Sequence, residues 1–253
     1  MIGAIYAYDN NSASARSLSQ RLGVPLIRHQ GSRFKGREDK TVLNWGSTYH
    51  NIPAEVLKCR VINRKGSISK LDFMNWVSLH AQTPPWTVER EKAYGWLLNG
   101  STVVLRHDLW GYGGRGIEII DNPNEHFPLA PLYTFYIPKK EEYRIHLRKG
   151  TPDTFTECIA ATRKAGVPGI QKNWKIRNLE NGFVYELVDF YKLPWCVQRE
   201  SIGAFLRLNY DFAALDVIWN KKNDEAYVLE ANTAPGFEPR TLDMYVDYLQ
   251  RNF

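Results

Sequence analysis

The feature that most narrows the fold is the stretch 211–236. Two apolar runs, FAALDVIWN and AYVLEANTAPG, flank the charged turn NKKNDE. Such runs on either side of a tight polar turn predict an antiparallel hairpin. Each run carries one acid, Asp216 and Glu230, and Asn232 follows two residues after the second. Strand side chains alternate faces, so Glu230 and Asn232 share one. A hairpin centred on 222–224 sets Asp216 roughly opposite Glu230. An isolated carboxylate in an apolar strand is costly unless something cationic meets it. Two carboxylates and a neutral amide oxygen suit Mg²⁺, which keeps waters and binds through one or two acids plus phosphates. A buried ion-pair network is the plainer alternative.

A chain of 253 residues has room for one large domain or for two or three small lobes around a cleft. With 33 Lys or Arg against 27 Asp or Glu, the formal charge of +6 draws anions, but no run of five like charges exists. Aromatics at 13% serve a core or a stacking surface. Cys59, Cys158 and Cys196 are odd in number and far apart, which argues against a disulfide framework and a zinc site. No signal peptide and no stretch of about eighteen apolar residues is seen, so we expect a cytoplasmic protein without membrane contact.

The N-terminal third reads as a β-α-β-β start: strand 2–8, helix 14–22 stopped by Gly23, strands 25–28 and 41–45, and a strand end at 61–63. This predicts a small α/β lobe with parallel pairing. Ser69 caps a helix, with Asp72 able to reach back and Leu71, Met74, Val77 and Leu79 forming its apolar side. QTPPW breaks it, and Thr87 caps a second helix, 89–98, which Gly100 ends. Strands follow at 101–105, 116–120 and 132–138. Residues 154–165 fit a helix or a hairpin; the strand formers and the KGTPD turn favour the hairpin. Helix 199–208 precedes the long hairpin. The fold class is α/β (α+β).

Three further constellations carry chemistry. Arg106, then Gly111, Gly113, Gly114, Arg115 and Gly116, makes a glycine-rich hairpin that cradles phosphate or simply turns. Tyr136 and Ile137 before Pro138 offer strand-end backbone to an adenine, with Glu142 for ribose hydroxyls and Arg144 beyond; an ordinary surface strand has the same pattern. Arg177 and Asn178 in KIRNLENG suit phosphate and bridging oxygens, or an ordinary loop.

In this order the pieces resemble the ATP-grasp superfamily, and within it the carboxylate–amine ligase branch typified by the ribosomal-protein glutamate ligase (RimK-like). The resemblance covers about 61–240 and is most specific in LDVIWN…YVLEANTAPGF. It implies two lobes holding ATP between them, 66–137 with the glycine-rich loop and 138–253 with the metal site, after a short α/β lobe at 1–65. It implies Asp216, Glu230 and Asn232 as Mg²⁺ ligands, and Gly113, Gly114, Arg115 and Gly116 as the loop over the phosphates. Tyr136 and Ile137 become the adenine hinge and Glu142 the ribose acid. Arg144 faces phosphate or substrate, Arg177 and Asn178 flank the γ-phosphate, and the turn 233–237 receives the carboxylate substrate. Arg106 stands where the family has Lys, and His107 follows it; charge is kept but geometry differs. A second family lysine falls at Arg163, with Lys164 and Lys172 nearby.

The resemblance implies ATP- and Mg²⁺-dependent amide formation through an acylphosphate, with no Ser or Cys nucleophile. His107 and His146 are proton-transfer groups or, more simply, structural. The carboxylate and amine stay open among amino acid, peptide, protein tail and modified base, and so do nucleic-acid binding and homo-oligomerisation. A compact form of this kind points to a tailed-phage origin and a host cytoplasm. The alternative is a catalytically impaired ATP-grasp protein that binds nucleic acid or protein; phosphoryl transfer without ligation is a third reading.

Overall fold

The structure is a computed structural model that describes every residue except Tyr112, Gly113, Lys140, 151–154, Lys172, Ile176 and Leu179. Short apolar runs form β1 (Ile2–Ala7), β2 (Thr41–Trp45) and β3 (Arg60–Ile62), which pair in parallel in that order. Parallel strands need crossovers, and α1 (Ala13–Leu22) and the single turn α2 (Ala54–Leu57) lie in the two connections. Ser12 caps α1 by accepting from the Ala15 amide at 3.3 Å. The expected strand at 25–28 is reduced to one parallel bridge, Ile5 to Leu26. Pro25 has no N–H to extend the ladder.

Helix α3 (Lys70–Val77) starts at Ser69, whose hydroxyl accepts from the Asp72 amide and donates to its carboxylate. Phe73, Met74 and Val77 are buried, but the helix ends at Val77, which leaves Leu79 87% exposed instead of on the apolar side. Four antiparallel strands then make a small sheet: β4 (Trp86–Thr87), β5 (Val103–Arg106), β6 (Ile117–Ile120) and β7 (Leu132–Phe135), ordered β4-β7-β5-β6. Helix α4 (Arg90–Leu98) covers it through Ala93 and Leu97. Thr87 does not cap this helix; it lies in β4, its hydroxyl takes the Glu89 amide, and Glu89 is the cap. Strand β7 stops at Phe135 rather than 138, since Pro138 cannot donate to a ladder.

The largest sheet is β8 (Glu141–Lys149), β9 (Thr156–Gly166), β10 (Phe183–Val188), β11 (Phe212–Asn220) and β12 (Glu225–Asn232), antiparallel and ordered β10-β9-β8-β11-β12. The pairing of β8 with β9 is the hairpin expected there. Helix α5 (Trp195–Leu208) begins four residues before its expected start, directly after Pro194, and ends at Asn209 in the left-handed region. It packs with α3 against this sheet over Ile145, Val197, Phe205 and Leu215. Helix α6 (Pro239–Asn252) packs between the parallel-sheet lobe and the other face of the largest sheet, so Trp45 is buried against Phe212 and Tyr245.

Asn63, at the end of β3 with φ 55°, joins the parallel sheet to β11. Its side-chain oxygen accepts from the Asp211 and Phe212 amides at 2.9 and 3.2 Å, and its amide donates to the Phe212 carbonyl at 2.9 Å. No helix of the described residues is long and apolar enough to cross a membrane.

Candidate active site

The three sheets line one cleft of about 1280 Å³. Its floor is set by strand alternation. Tyr143, Ile145 and Leu147 of β8 enter the core, so Glu142 and Arg144 face the other way. Register then makes a charged row across three strands, with Arg144 opposite Asp216 and Asp216 opposite Glu230. A bulge between Asp216 and Val217 leaves Leu229 as the extra residue of β12, and Leu229 lines the cleft.

Within the row, the Arg144 fork donates to both Asp216 oxygens at 2.6 and 2.8 Å. Burial opposes ionisation of Asp216, but Arg144 outweighs it and holds the carboxyl down to about 2. Glu230 accepts from the Asn232 amide at 3.2 Å and lies 3.4 Å from the Lys70 ammonium. The chain's own cations therefore compensate both acids. Among the described residues no three His, Cys, Asp or Glu form a metal cage. Asp216, Glu230 and the Asn232 amide are the oxygen donors that could hold a metal here.

Glu142 is buried between two cations, Lys139 at 2.7 Å and Lys164. Burial pushes its carboxyl up, and the two ammonium groups more than reverse that. Burial likewise pulls Lys164 down, and Glu142 and Asp216 outweigh it, holding its ammonium above the ordinary value. Tyr185 of β10 lies opposite Lys164 in register, and its ring carries the Arg144 guanidinium at 4.8 Å.

Arg106, at the end of β5, looks into the cleft from the small sheet. It is 7% exposed, and its Nε has no hydrogen-bond partner among the described residues. Burial pulls its guanidinium down, and only the field of Glu230 opposes this. Tyr136 and Ile137 line the same region. Arg177 is buried over the Trp174 and Phe183 rings at 5.3 and 5.6 Å, and Asn178 beside it accepts from the Asn181 amide at 2.9 Å. Both line the cleft.

Some expected residues lie elsewhere. Arg163 is turned to the outer face, paired with Glu186 at 3.1 Å and Glu141 at 3.6 Å. One position along β9, alternation brings Lys164 inward, so Lys164 and not Arg163 faces the cleft. Arg115 lines the cleft, but its guanidinium donates to Asp108 at 3.0 and 3.2 Å. Gly114 lines the cleft; Gly116, at φ +69°, backs onto Asp108, where a Cβ would come within 2.7 Å of the Asp108 Cβ. His107 sits outside, 2.9 Å from Glu118. His146 lines the cleft but is buried, bonded to the Tyr245 hydroxyl at 3.0 Å. Gly113 and Lys172 lie outside the described residues. Lys70, Lys139 and Tyr185 were not singled out from sequence. Lys139 sits in the run PKKEE, which reads as solvated surface, and Lys70 in the first turn of a helix looks like an ordinary surface cation.

No family model matches the chain, and no curated protein matches it. Solved structures do. The ATP-grasp ligase PsnB, complexed with minimal precursor, Mg and ADP, superposes with TM-score 0.66 at 12% identity, covering 98% of this chain and 96% of that one. D-alanyl-alanine synthetase A from Vibrio cholerae gives 0.66 at 11% identity over 98% and 93%. A RimK domain ATP-grasp protein from Sphaerobacter thermophilus gives 0.61 at 14% identity over 98% and 100%. At such identities the likeness shows the fold: this chain has the ATP-grasp fold along its whole length.

Proposed function

We propose that this protein is a Mg²⁺- and ATP-dependent ligase that joins a carboxylate to an amine, releasing ADP and phosphate. The carrying observation is Arg106: a buried guanidinium with an unfilled donor, across the cleft from the row Arg144, Asp216 and Glu230. An unsatisfied buried donor costs about 1–3 kcal/mol, which an anion in the cleft offsets. Among the described residues eight Lys or Arg line the cleft against four Asp or Glu, a surplus that suits a polyphosphate. The ATP-grasp neighbours with bound nucleotide support the same reading.

The donor set fits the ion and the nucleotide. Asp216, Glu230 and Asn232 would hold Mg²⁺, which supplies charge neutralisation at the transferring phosphoryl group. In the proposed reaction a carboxylate oxygen displaces ADP from the γ-phosphorus. The amine then displaces phosphate from the acylphosphate carbon and loses a proton. The residues' share is positioning and charge. Arg106 and Lys164 point fixed cations at anionic oxygens from opposite walls, and the fork to Asp216 keeps Arg144 and the acid in one geometry. Gly114 and Arg115 cover the phosphates, and Tyr136 and Ile137 bound the base.

The same proposal takes 1–65, 66–137 and 138–253 as the lobes. Each sheet falls within one segment, although α3 packs on the largest sheet. It places the reaction in the cytoplasm, where ATP is available and where Cys59, Cys158 and Cys196 stay free thiols. Replacing Glu230 with Gln removes one carboxylate at constant shape. We expect ATP turnover with Mg²⁺ to fall at least about 10²-fold with an unchanged circular dichroism spectrum. Wild-type turnover in E230Q would overturn the assignment.

A further inference from the structure

The charge of this protein is not spread evenly. Residues 1–65 hold eleven Lys or Arg and four Asp or Glu, while the rest of the chain holds 22 and 23. The net positive charge thus belongs to the parallel-sheet lobe. Much of it sits on the strap 28–37, which has neither helix nor strand yet is fixed at three points. The His29 ring bonds to the Ala7 carbonyl at 2.7 Å. Phe34 packs on the core of Val42 and Val61. The Gly36 amide donates to Glu55 at 2.9 Å, and a Cβ there would lie 1.7 Å from the Glu55 carbonyl oxygen, so the strap presses flat on the lobe. Along the strap Arg28, Arg33 and Lys35 are exposed, and their side chains make no ion pair among the described residues.

The strap runs beside an aromatic edge. The bridge of Leu26 to Ile5 is parallel, so the strap leaves at the same end as the residues that follow β1 and β2. That end opens into the cleft: Tyr8, His29 and Thr48 line it. Tyr8 and Tyr49 are 47% and 45% exposed there, and Trp110, on the glycine-rich side of the cleft, is 54% exposed. Open parallel sheets receive ligands at the carboxyl ends of their strands. Here that edge combines preset cations with exposed rings.

We infer that the strap 28–37 and the edge at Tyr8 and Tyr49 form a docking surface for single-stranded nucleic acid, which delivers an unpaired base to the cleft. The cations track phosphates and the rings stack on bases; stacking tolerates any sequence because every base has a π face. An acidic peptide would use the cations and leave the exposed rings without a role, which is why nucleic acid is favoured. The inference deepens the ligase reading by naming what carries the carboxylate or amine, but the docking itself needs no ATP.

The test uses the full chain, in EDTA and without nucleotide, and reads fluorescence anisotropy of a labelled 16-nucleotide single strand. Competitors are the matching duplex and a polyglutamate peptide. We expect the single strand to bind best. The variant R28Q/R33Q/K35Q should weaken binding at least about 10-fold and flatten the slope of log K against log salt by about 0.7 per lost phosphate contact. Tyr8→Ala should weaken binding with the slope unchanged, and Lys221→Gln in the distant β11–β12 turn should change neither. No binding of the single strand, stronger binding of duplex or polyglutamate, or an unchanged slope in the triple variant would each overturn the inference. Because no ATP is present, those failures leave the ligase assignment standing, and failure of E230Q to lose turnover leaves the docking result standing.

Discussion

His146 is the residue whose protonation most plainly works against the fold. Burial, aided by the Arg144 charge, takes its imidazole from 6.5 down to about 3. Between those values the unfolded chain binds a proton that the folded chain refuses, so stability falls as pH drops below 6.5. The slope reaches about 1.4 kcal/mol per pH unit. His146→Asn keeps an amide for the Tyr245 hydroxyl and removes the titration. We expect urea unfolding of H146N to show a flatter dependence between pH 6.5 and 5, a window above the carboxylate range; an unchanged slope would refute the assignment. This behaviour was illegible in sequence, where His146 was one lone histidine in EEYRIHLRK. Asp216 was legible as an acid in an apolar run, but its partner was not. Arg144 lies 72 positions away, and only strand order brings the two together.

At the scale of elements, β9 separates what pattern can and cannot decide. The sequence supported a hairpin at 154–165 through its β-branched content, and β8 and β9 form it. The phase of β9 was another matter. Arg163 and Lys164 are adjacent cations, and a one-residue difference in phase exchanges their faces. The cross-strand partners decide: Lys164 reaches Glu142 and Arg163 reaches Glu186. Lys164→Gln should therefore lower turnover about 10²-fold or more, while Arg163→Gln should change stability by no more than about 0.5 kcal/mol and turnover by less than twofold. Steady-state kinetics and thermal unfolding of both variants check this, and equal losses in the two would contradict the phase. The hairpin β11–β12 was readable in both respects because its acids, its Asn and its turn all agree. The cap of α4 differs from the local rule: Thr87 is the better cap by type, but the pairing of β4 with β7 takes it, and Glu89 holds the cap position without a side-chain bond.

At the scale of the whole molecule, the parallel sheet looks like a separate unit in sequence, with its own β-α-β-β pattern. Its packing is different. Trp45 meets Phe212, Phe237 and Tyr245, and Tyr248 and Leu249 complete the same core. A fragment of residues 1–65 thus lacks one wall of its own interior. Trp45 is its only tryptophan. We expect the emission of Trp45 in that fragment to lie near that of a hydrated indole and to shift blue only in the full chain; a blue-shifted, cooperatively unfolding fragment would show the lobe to be autonomous. Composition gave no hint of this dependence, since aromatic content does not reveal which aromatics meet.

Asn63 gives the same dependence a direction in time. The bonds it makes to Asp211 and Phe212 span 148 and 149 residues. During synthesis at about 5–20 residues per second, the first lobe leaves the ribosome several seconds before those partners exist. Through that interval Trp45 and the apolar face of β2 lack the wall that Phe212, Tyr245 and Leu249 supply. The nascent chain is then most open to chaperones and proteases, and the oldest part of the molecule is the last to become native.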